Sequence, residues 1–197
     1  GLRPHNLLGS APNSMGLTRY KVQTAATAGS SSSIFQGDMV IPLTNGLVDV
    51  SAADGGSVAI LGVMNGCEYI DLNGKPRFDN HYPGTSSIKS GTEASIFVYD
   101  NPHQVFEVQG DASLTNAATA QALVHSNAEG AGFGSENGAT GKSIGELAVS
   151  TAGATTAGDN FRIVGIKDDF DQIDVTSAGV IFLVKLNVHF HLTATGL

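Results

Sequence analysis

The fold class is decided by one stretch, Ser95-Ile-Phe-Val-Tyr-Asp-Asn-Pro-His-Gln-Val-Phe-Glu-Val-Gln-Gly-Asp111. Its two halves, Ser95–Tyr99 and Val105–Val108, are rich in the β-branched and aromatic residues that favour strands. Asp100-Asn101-Pro102 separates them, because proline has no N–H to donate and Asn and Asp favour turns. The stretch therefore predicts a β-hairpin at the centre of a β-rich domain.

Other strand and turn signals surround this stretch. Asn45-Gly46 between two apolar runs is a strong hairpin signal. The further predicted strands are Ser57–Asp71, bent at Gly62 and Gly66, then Phe161–Lys167 and a final strand, Val180–Leu192. Ser113–His125 is the one candidate helix. About eight short strands predict an all-β, mainly antiparallel fold, either a β-barrel or a β-sandwich, with an extended N-terminal arm and at most one short helix.

The chain is expected to divide into an arm and one domain. Residues 1–33 form the predicted arm, and residues 34–197 form a single β-rich domain with a long loop near 126–160, rich in Gly, Ala and Ser. A frayed terminus is the alternative to an ordered arm. Thr18–Thr24 alternates well enough to be a strand.

The predicted arm carries apolar side chains without a regular period, which favours contact with a partner. We expect residues 1–24 to anchor the protein and the domain to fold without them. The residues assigned to these contacts, with a capsid or a neighbouring subunit, are Leu2, Arg3, Pro4, Leu7, Leu8, Met15, Arg19 and Tyr20.

Composition excludes several classes of partner. The 197-residue chain has a formal net charge of −8, so it repels the phosphates of nucleic acids and an anionic membrane surface. No apolar run approaches the roughly 20 residues of a membrane-spanning helix. With 41% hydrophobic residues the chain can bury a full core. Cys67 lies in an apolar strand, where a buried thiol is usually inert.

Three sequence patterns are candidate sites of chemistry, and none predicts an enzyme. His189-Phe190-His191 places two imidazoles on one strand face and could hold a metal with His103 or His81. No acid follows the pair, so an oligomer interface at these three residues is the preferred interpretation. The stretch 136–143 resembles a phosphate-binding loop but lacks its first glycine. The acidic cluster Asp168, Asp169, Asp171 and Asp174 lacks the pattern of a calcium loop. We expect no catalytic residue, no metal and no cofactor.

Several short stretches together resemble a family of small structural proteins of tailed bacteriophages, usually placed beside the major capsid protein. These stretches are Gly1–Pro4, Gly37–Val40, Leu61–Tyr69, Ala94–Asp100 with Pro102, Phe106–Gln109, Arg162–Gly165 and Asn187–His189. The resemblance implies a capsid decoration or cement protein. Its expected form is a β-rich homo-oligomer, a trimer in our prediction, on the outer surface of the virion, with the major capsid protein as partner.

The alternative is a virion module that binds glycans or recognises the host. Such modules usually offer exposed aromatic side chains that stack on sugars. The chain has no Trp and only 7% aromatic residues, which makes this reading the second choice. A metal-dependent enzyme built on the histidine pair is the third.

Overall fold

The structure, a computed structural model, describes residues 1–9, 16–22, 33–51, 58–135, 140–167, 174–177, 179–193 and 196. Most of these residues belong to β-strands or the turns between them. The strands are β1 (Arg3–Leu7), β2 (Thr18–Lys21), β3 (Ile34–Phe35), β4 (Met39–Pro42), β5 (Val48–Val50), β6 (Gly62–Ile70), β7 (Pro76–Asp79), β8 (His81–Tyr82), β9 (Ser95–Tyr99), β10 (Gln104–Gln109), β11 (Asn127–Ala128), β12 (Gly130–Ala131), β13 (Glu146–Leu147), β14 (Phe161–Ile166) and β15 (Ile181–Leu186). The helix α1 is Ala117–Ala122.

Two antiparallel sheets make up the architecture. The five-stranded sheet has the order β1-β10-β15-β14-β11. The six-stranded sheet has the order β2-β9-β6-β4-β5, and β7 pairs with the far end of β6. A single parallel bridge between Val22 and Val48 brings the two edges of this sheet together without closing a barrel. The predicted all-β, mainly antiparallel class is confirmed, and the arrangement is sandwich-like.

The core has two parts, one on each face of the six-stranded sheet. The first lies between the sheets, where Phe106, Phe161 and Phe182 of the five-stranded sheet belong to one cluster with Met39 and Val63. The second lies on the opposite face and includes Val40, Met64, Ile96, Val98 and Tyr82. Adjacent residues such as Met39 and Val40 serve different cores because side chains alternate along a strand.

The stretch Ser95–Asp111 forms two strands, as predicted, but they are not a hairpin. β9 pairs with β2 and β6, whereas β10 pairs with β1 and β15, so the chain crosses from one sheet to the other. The connection is still built by the predicted turn residues: the Asn101 side chain accepts the His103 N–H at 2.9 Å. Val105–Val108 is buried throughout, because β10 has neighbours on both sides and its outer face is covered by side chains.

Other predicted elements agree with the structure to different degrees. The Asn45-Gly46 signal is confirmed, since β4 and β5 pair on either side of it. β6 has an irregular register between Met64 and Gly66, at one of the two predicted bends. The helix is shorter than predicted and is capped by Asn116, whose side chain accepts the Thr119 N–H. The last strand ends at Leu186, before the histidines.

The N-terminal segment is part of the sandwich, which corrects the expectation of a separate arm. β1 is the edge strand of the five-stranded sheet and pairs with β10. His5 contacts Glu107 with 2.8 Å between Nδ1 and Oε1, and Lys167 donates to the other oxygen at 3.0 Å. Burial alone would raise the pKa of Glu107, but the hydrogen bonds from Lys167 and His5 outweigh it and lower that pKa. Sequence periodicity missed β1 because its apolar positions are irregular across the bulge between Pro4 and Asn6.

The long loop predicted near 126–160 also contributes to the fold. It contains β11, β12 and β13, each two residues long. Phe133 and Leu147 from this region are buried in the first core. Strands of two residues are too short to show the alternation of apolar and polar residues that predicts a strand. The composition of this region therefore indicated a loop.

Replacing Gly62 by alanine tests the close packing of β6 against β9. A Cβ at Gly62 would lie 2.3 Å from the Tyr99 carbonyl oxygen and 2.6 Å from a Val98 methyl. The strands must separate to admit it, so we expect a loss of about 1–3 kcal/mol in the free energy of unfolding, measured with urea. Gly165→Ala is the control, because its Cβ would meet only Leu183 at 3.7 Å. Equal losses in the two variants would contradict this packing.

Candidate interaction surfaces

The residues assigned to the N-terminal contacts separate into two groups. Leu2 and Leu7 are buried within this chain, which corrects their assignment to a partner contact. Arg3 and Leu8 are exposed, and Pro4 is half-buried. Met15 lies outside the described residues.

Arg19 and Tyr20 lie on β2, in the six-stranded sheet. The Tyr20 hydroxyl donates to Asp100 at 2.7 Å. Burial and then this carboxylate raise the pKa of the Tyr20 phenol well above its ordinary value. Arg19 forms an ion pair with Glu68 on β6, yet its side chain is 62% exposed. Arg19 therefore remains available to a partner, whereas the hydroxyl of Tyr20 is used inside the chain.

β6 and β7 form a hairpin with a well-ordered turn. The Asp71 carboxylate accepts the N–H groups of Asn73 and Lys75, both at 2.9 Å, and the Nε–H of Arg77 at 2.9 Å. The Lys75 N–H, and then Arg77, lower the pKa of Asp71. Gly74 has φ of 80°, a value that favours glycine. The turn is thus fixed by its own hydrogen bonds.

This hairpin carries the most exposed large apolar side chains among the described residues. Phe78 is 77% exposed and Leu72 is 65% exposed. All four residues of β7 are exposed, and β7 pairs only with β6 among the described strands. A groove of about 180 Å³ runs beside Phe78. We call Leu72, Arg77 and Phe78, with the ion pair of Arg19 and Glu68, the hairpin surface.

The histidines near the end of the chain are arranged differently from the prediction. They follow β15 in a 3₁₀ turn, Phe190–Leu192, and do not share a strand face. His189 is 1% exposed and its Nδ1 accepts the His191 N–H at 3.2 Å. His191 is 3.8 Å from the Asp100 carboxylate. The predicted oligomer interface is therefore corrected for His189, which is buried, while Phe190 and His191 remain partly accessible.

The other candidate sites of chemistry are also placed by the structure. Among the described residues, no group of three or more His, Cys, Asp or Glu side chains could hold a metal ion. Asp174 accepts hydrogen bonds from Thr176 and Ser177 within its own turn, and its three acidic companions lie outside the described part of the chain. The first four residues of the loop resembling a phosphate site, 136–139, lie outside it as well.

Cys67 is buried, as predicted. Its thiol donates to the carbonyl oxygen of His81 at 3.0 Å. Burial, followed by the charge of Asp79, raises the pKa of Cys67 to about 12. The thiol stays protonated at neutral pH and is a poor nucleophile.

Sequence reasoning did not identify the hairpin surface. Asn73-Gly74 signals a turn, but it does not show that an exposed strand follows. The available signal for a strand was the alternation of charged, apolar and charged side chains at Arg77, Phe78 and Asp79, just after the turn. Three residues are too few to distinguish a strand, and exposure of an apolar side chain has no sequence signature.

Comparisons with known proteins add no assignment. In the described part of the chain, no helix has the length and apolar character needed to cross a membrane. A scan against protein-family models, a search of curated proteins and a search of solved structures each found no match for this chain.

Proposed function

We propose that this chain is a structural virion protein that binds the outer surface of a tailed-phage capsid and stabilises the shell as a decoration or cement protein. The resemblance of its short stretches to phage head proteins supports this function, and an all-β sandwich is compatible with it. The proposed partners are the major capsid protein and further copies of the chain. In this role the protein catalyses no reaction and needs no cofactor.

The observation that carries the proposal is the hairpin surface. Phe78 is 77% exposed and Leu72 is 65% exposed, and Arg19 and Arg77 line the groove beside Phe78. Aromatic and arginine side chains dominate the binding energy of protein interfaces. The groove beside Phe78, about 180 Å³, is smaller than the roughly 300 Å³ lower limit of small-molecule pockets. It suits a single side chain of a protein partner.

Self-association forms the second part of the proposal. β7 has an open edge among the described strands, and open edges invite pairing with another chain. Pro76 and the charged residues Arg77 and Asp79 limit such pairing on β7. We therefore assign the hairpin surface to contact with the capsid. We propose that a homotrimer forms through another face of the protein. Sedimentation of the purified protein measures the mass of this trimer.

Phe78→Ser tests the function directly. The side chain is 77% exposed, so the free energy of unfolding should change by less than about 0.5 kcal/mol. Removal of an aromatic anchor should weaken binding about tenfold or more. The measurement is cosedimentation of the purified protein with shells assembled from the major capsid protein encoded in the same genome.

Val58→Ser is the matched control. Val58 is 45% exposed and does not belong to the hairpin surface, so its variant should bind shells like the unmodified chain. Unmodified protein that fails to sediment with shells would reject the decoration function. If the Phe78→Ser variant bound shells as strongly as the unmodified chain, the contact with the capsid would lie on another surface.

A further inference from the structure

A second concave site lies where the edge of the five-stranded sheet meets the six-stranded sheet. Its volume is about 430 Å³, within the range of roughly 300–1,000 Å³ typical of small-molecule sites. Arg3 and Pro4 of β1 form one wall, and Lys142 forms another. The bulge of β6 between Met64 and Gly66 turns Asn65 into the same space. Bulges often redirect a side chain toward a binding site.

The charges in this cavity are positive. Arg3 and Lys142 are exposed, and neither forms an ion pair or a side-chain hydrogen bond among the described residues. The described lining contains no Asp or Glu. Glu107 is paired in register with Arg3, but its oxygens are taken by His5 and Lys167. Two cations without a partner carboxylate favour an anionic ligand.

The uncharged lining offers hydrogen bonds beside an apolar surface. The Gln36 side chain donates to Asn65 at 3.2 Å, which leaves the Asn65 amide hydrogens free to donate and the Gln36 oxygen free to accept. The Tyr99 phenol has no hydrogen-bond partner among the described residues. Pro4 and the Tyr99 ring, both half-buried, form the apolar part of the lining. Such a mixture suits a ring that bears hydroxyl groups on its edge and C–H groups on one face.

Two carboxylates lie close by and must be considered. Asp38 is fully buried behind the cavity, where it accepts the N–H groups of Phe35 at 2.9 Å and Gly134 at 3.0 Å. Burial raises the pKa of Asp38, and its oxygens are directed at these backbone N–H groups. Glu146 lines the neighbouring cavity of about 320 Å³, which Lys142 also borders. Lys142 can therefore serve either cavity, whereas Arg3 serves only the first.

We propose that the cavity between Arg3 and Lys142 binds an acidic sugar of the hexuronic acid type. Arg3 and Lys142 hold the carboxylate. Asn65, Gln36 and the Tyr99 phenol bind the hydroxyl groups, and the C–H face of the ring packs on Pro4. This binding activity is independent of the proposed attachment to a capsid.

Titration of the full chain with glucuronate, followed by amide shifts in NMR spectra, tests the proposal. A monosaccharide with ordinary ligand efficiency should bind with a Kd of about 1 mM. Glucose, the neutral analogue, and acetate, the carboxylate alone, should each bind at least about tenfold more weakly. The shifted amides should cluster around Arg3, Asn65 and Lys142.

Variants distinguish specific binding in this cavity from nonspecific attraction of anions to the protein surface. Arg3→Gln and Lys142→Gln should each weaken glucuronate binding about threefold, and together about tenfold, as expected for exposed charge contacts. Lys89→Gln removes the same charge from an exposed position elsewhere and should leave Kd unchanged. Urea unfolding of each variant checks that the fold is retained.

The outcomes are distinct from those of the shell-binding test. No shift with glucuronate at about ten times the expected Kd would overturn the proposal. Acetate binding as tightly as glucuronate would show an unspecific anion site and would also overturn it. Weakening by the double variant but not by Lys89→Gln supports it, whether or not the protein binds shells.

Discussion

Replacing Leu2 by alanine is expected to lower the free energy of unfolding by about 2–5 kcal/mol. Leu2 is 3% exposed and belongs to the core between the two sheets. Its N–H donates to the Gly37 carbonyl at 3.0 Å, which fixes the start of the chain against the sandwich. Truncation removes buried methyl groups and leaves a cavity that a β-sheet core fills poorly. Urea unfolding followed by fluorescence or circular dichroism measures the loss.

Leu8→Ala is the control for this experiment. Leu8 has the same side chain and lies six residues away, but it is 42% exposed. Leu8 is held through its backbone, because its N–H donates to the His103 carbonyl oxygen at 2.8 Å. Alanine keeps that hydrogen bond. We expect a change within about 0.5 kcal/mol. If both variants lost little and similar free energy of unfolding, the N-terminal segment would be a separate arm and not part of the core.

The fold was predictable to the extent that local chemistry determines it. Asn45-Gly46 requires a tight turn with positive φ, and Gly46 has φ of 78°. β14 and β15 are mostly apolar and rich in β-branched and aromatic residues, which predicts strands directly. The connection after Tyr99 was not predictable, because the same Asn-Pro turn can join strands of one sheet or carry the chain to another. The choice depends on long-range pairing, which a single sequence does not show.

The interaction surfaces were harder to predict than the strands. Burial of Cys67 followed from its apolar neighbours, but exposure of Phe78 depends on the absence of neighbours in space. Leu2 and Leu8 look alike in sequence, and only the position of β1 beside β10 distinguishes them. The cavity beside Arg3 is formed by segments that are far apart in the chain, so no motif indicates it.

His189 joins the end of the chain to the rest of the fold. It forms an isolated parallel bridge with Ile60. Because its Nδ1 accepts the His191 N–H, a neutral ring carries its hydrogen on Nε2, which is buried without a partner among the described residues. Burial first, and then His191 and His103, lower the pKa of His189 to about 4, although Asp100 acts in the opposite direction. The folded chain therefore disfavours the charged imidazolium.

This arrangement predicts a loss of stability in mild acid. The unfolded chain binds a proton at the ordinary histidine pKa of 6.5, while the folded chain binds it only at about 4. Between these values the unfolded state holds more protons, so stability falls as pH falls. The contribution of neutral His189 to the free energy of unfolding is fully present above pH 6.5. Its loss by about pH 4 amounts to roughly 3 kcal/mol. Urea unfolding at a series of pH values across this window measures it.

Two variants assign the acid sensitivity to His189. In His189→Asn the amide oxygen can still accept the His191 N–H but the side chain cannot titrate, so the steep part of the profile should disappear. His125→Asn removes an exposed histidine whose φ of 74° asparagine tolerates, and it should keep the profile of the unmodified chain. Glu107 titrates lower in the pH range because its pKa is depressed, so its effect falls mainly below the His189 window. An unmodified chain with constant stability from pH 6.5 to 4, or a steep profile in His189→Asn, would show that the buried imidazole does not control the acid response.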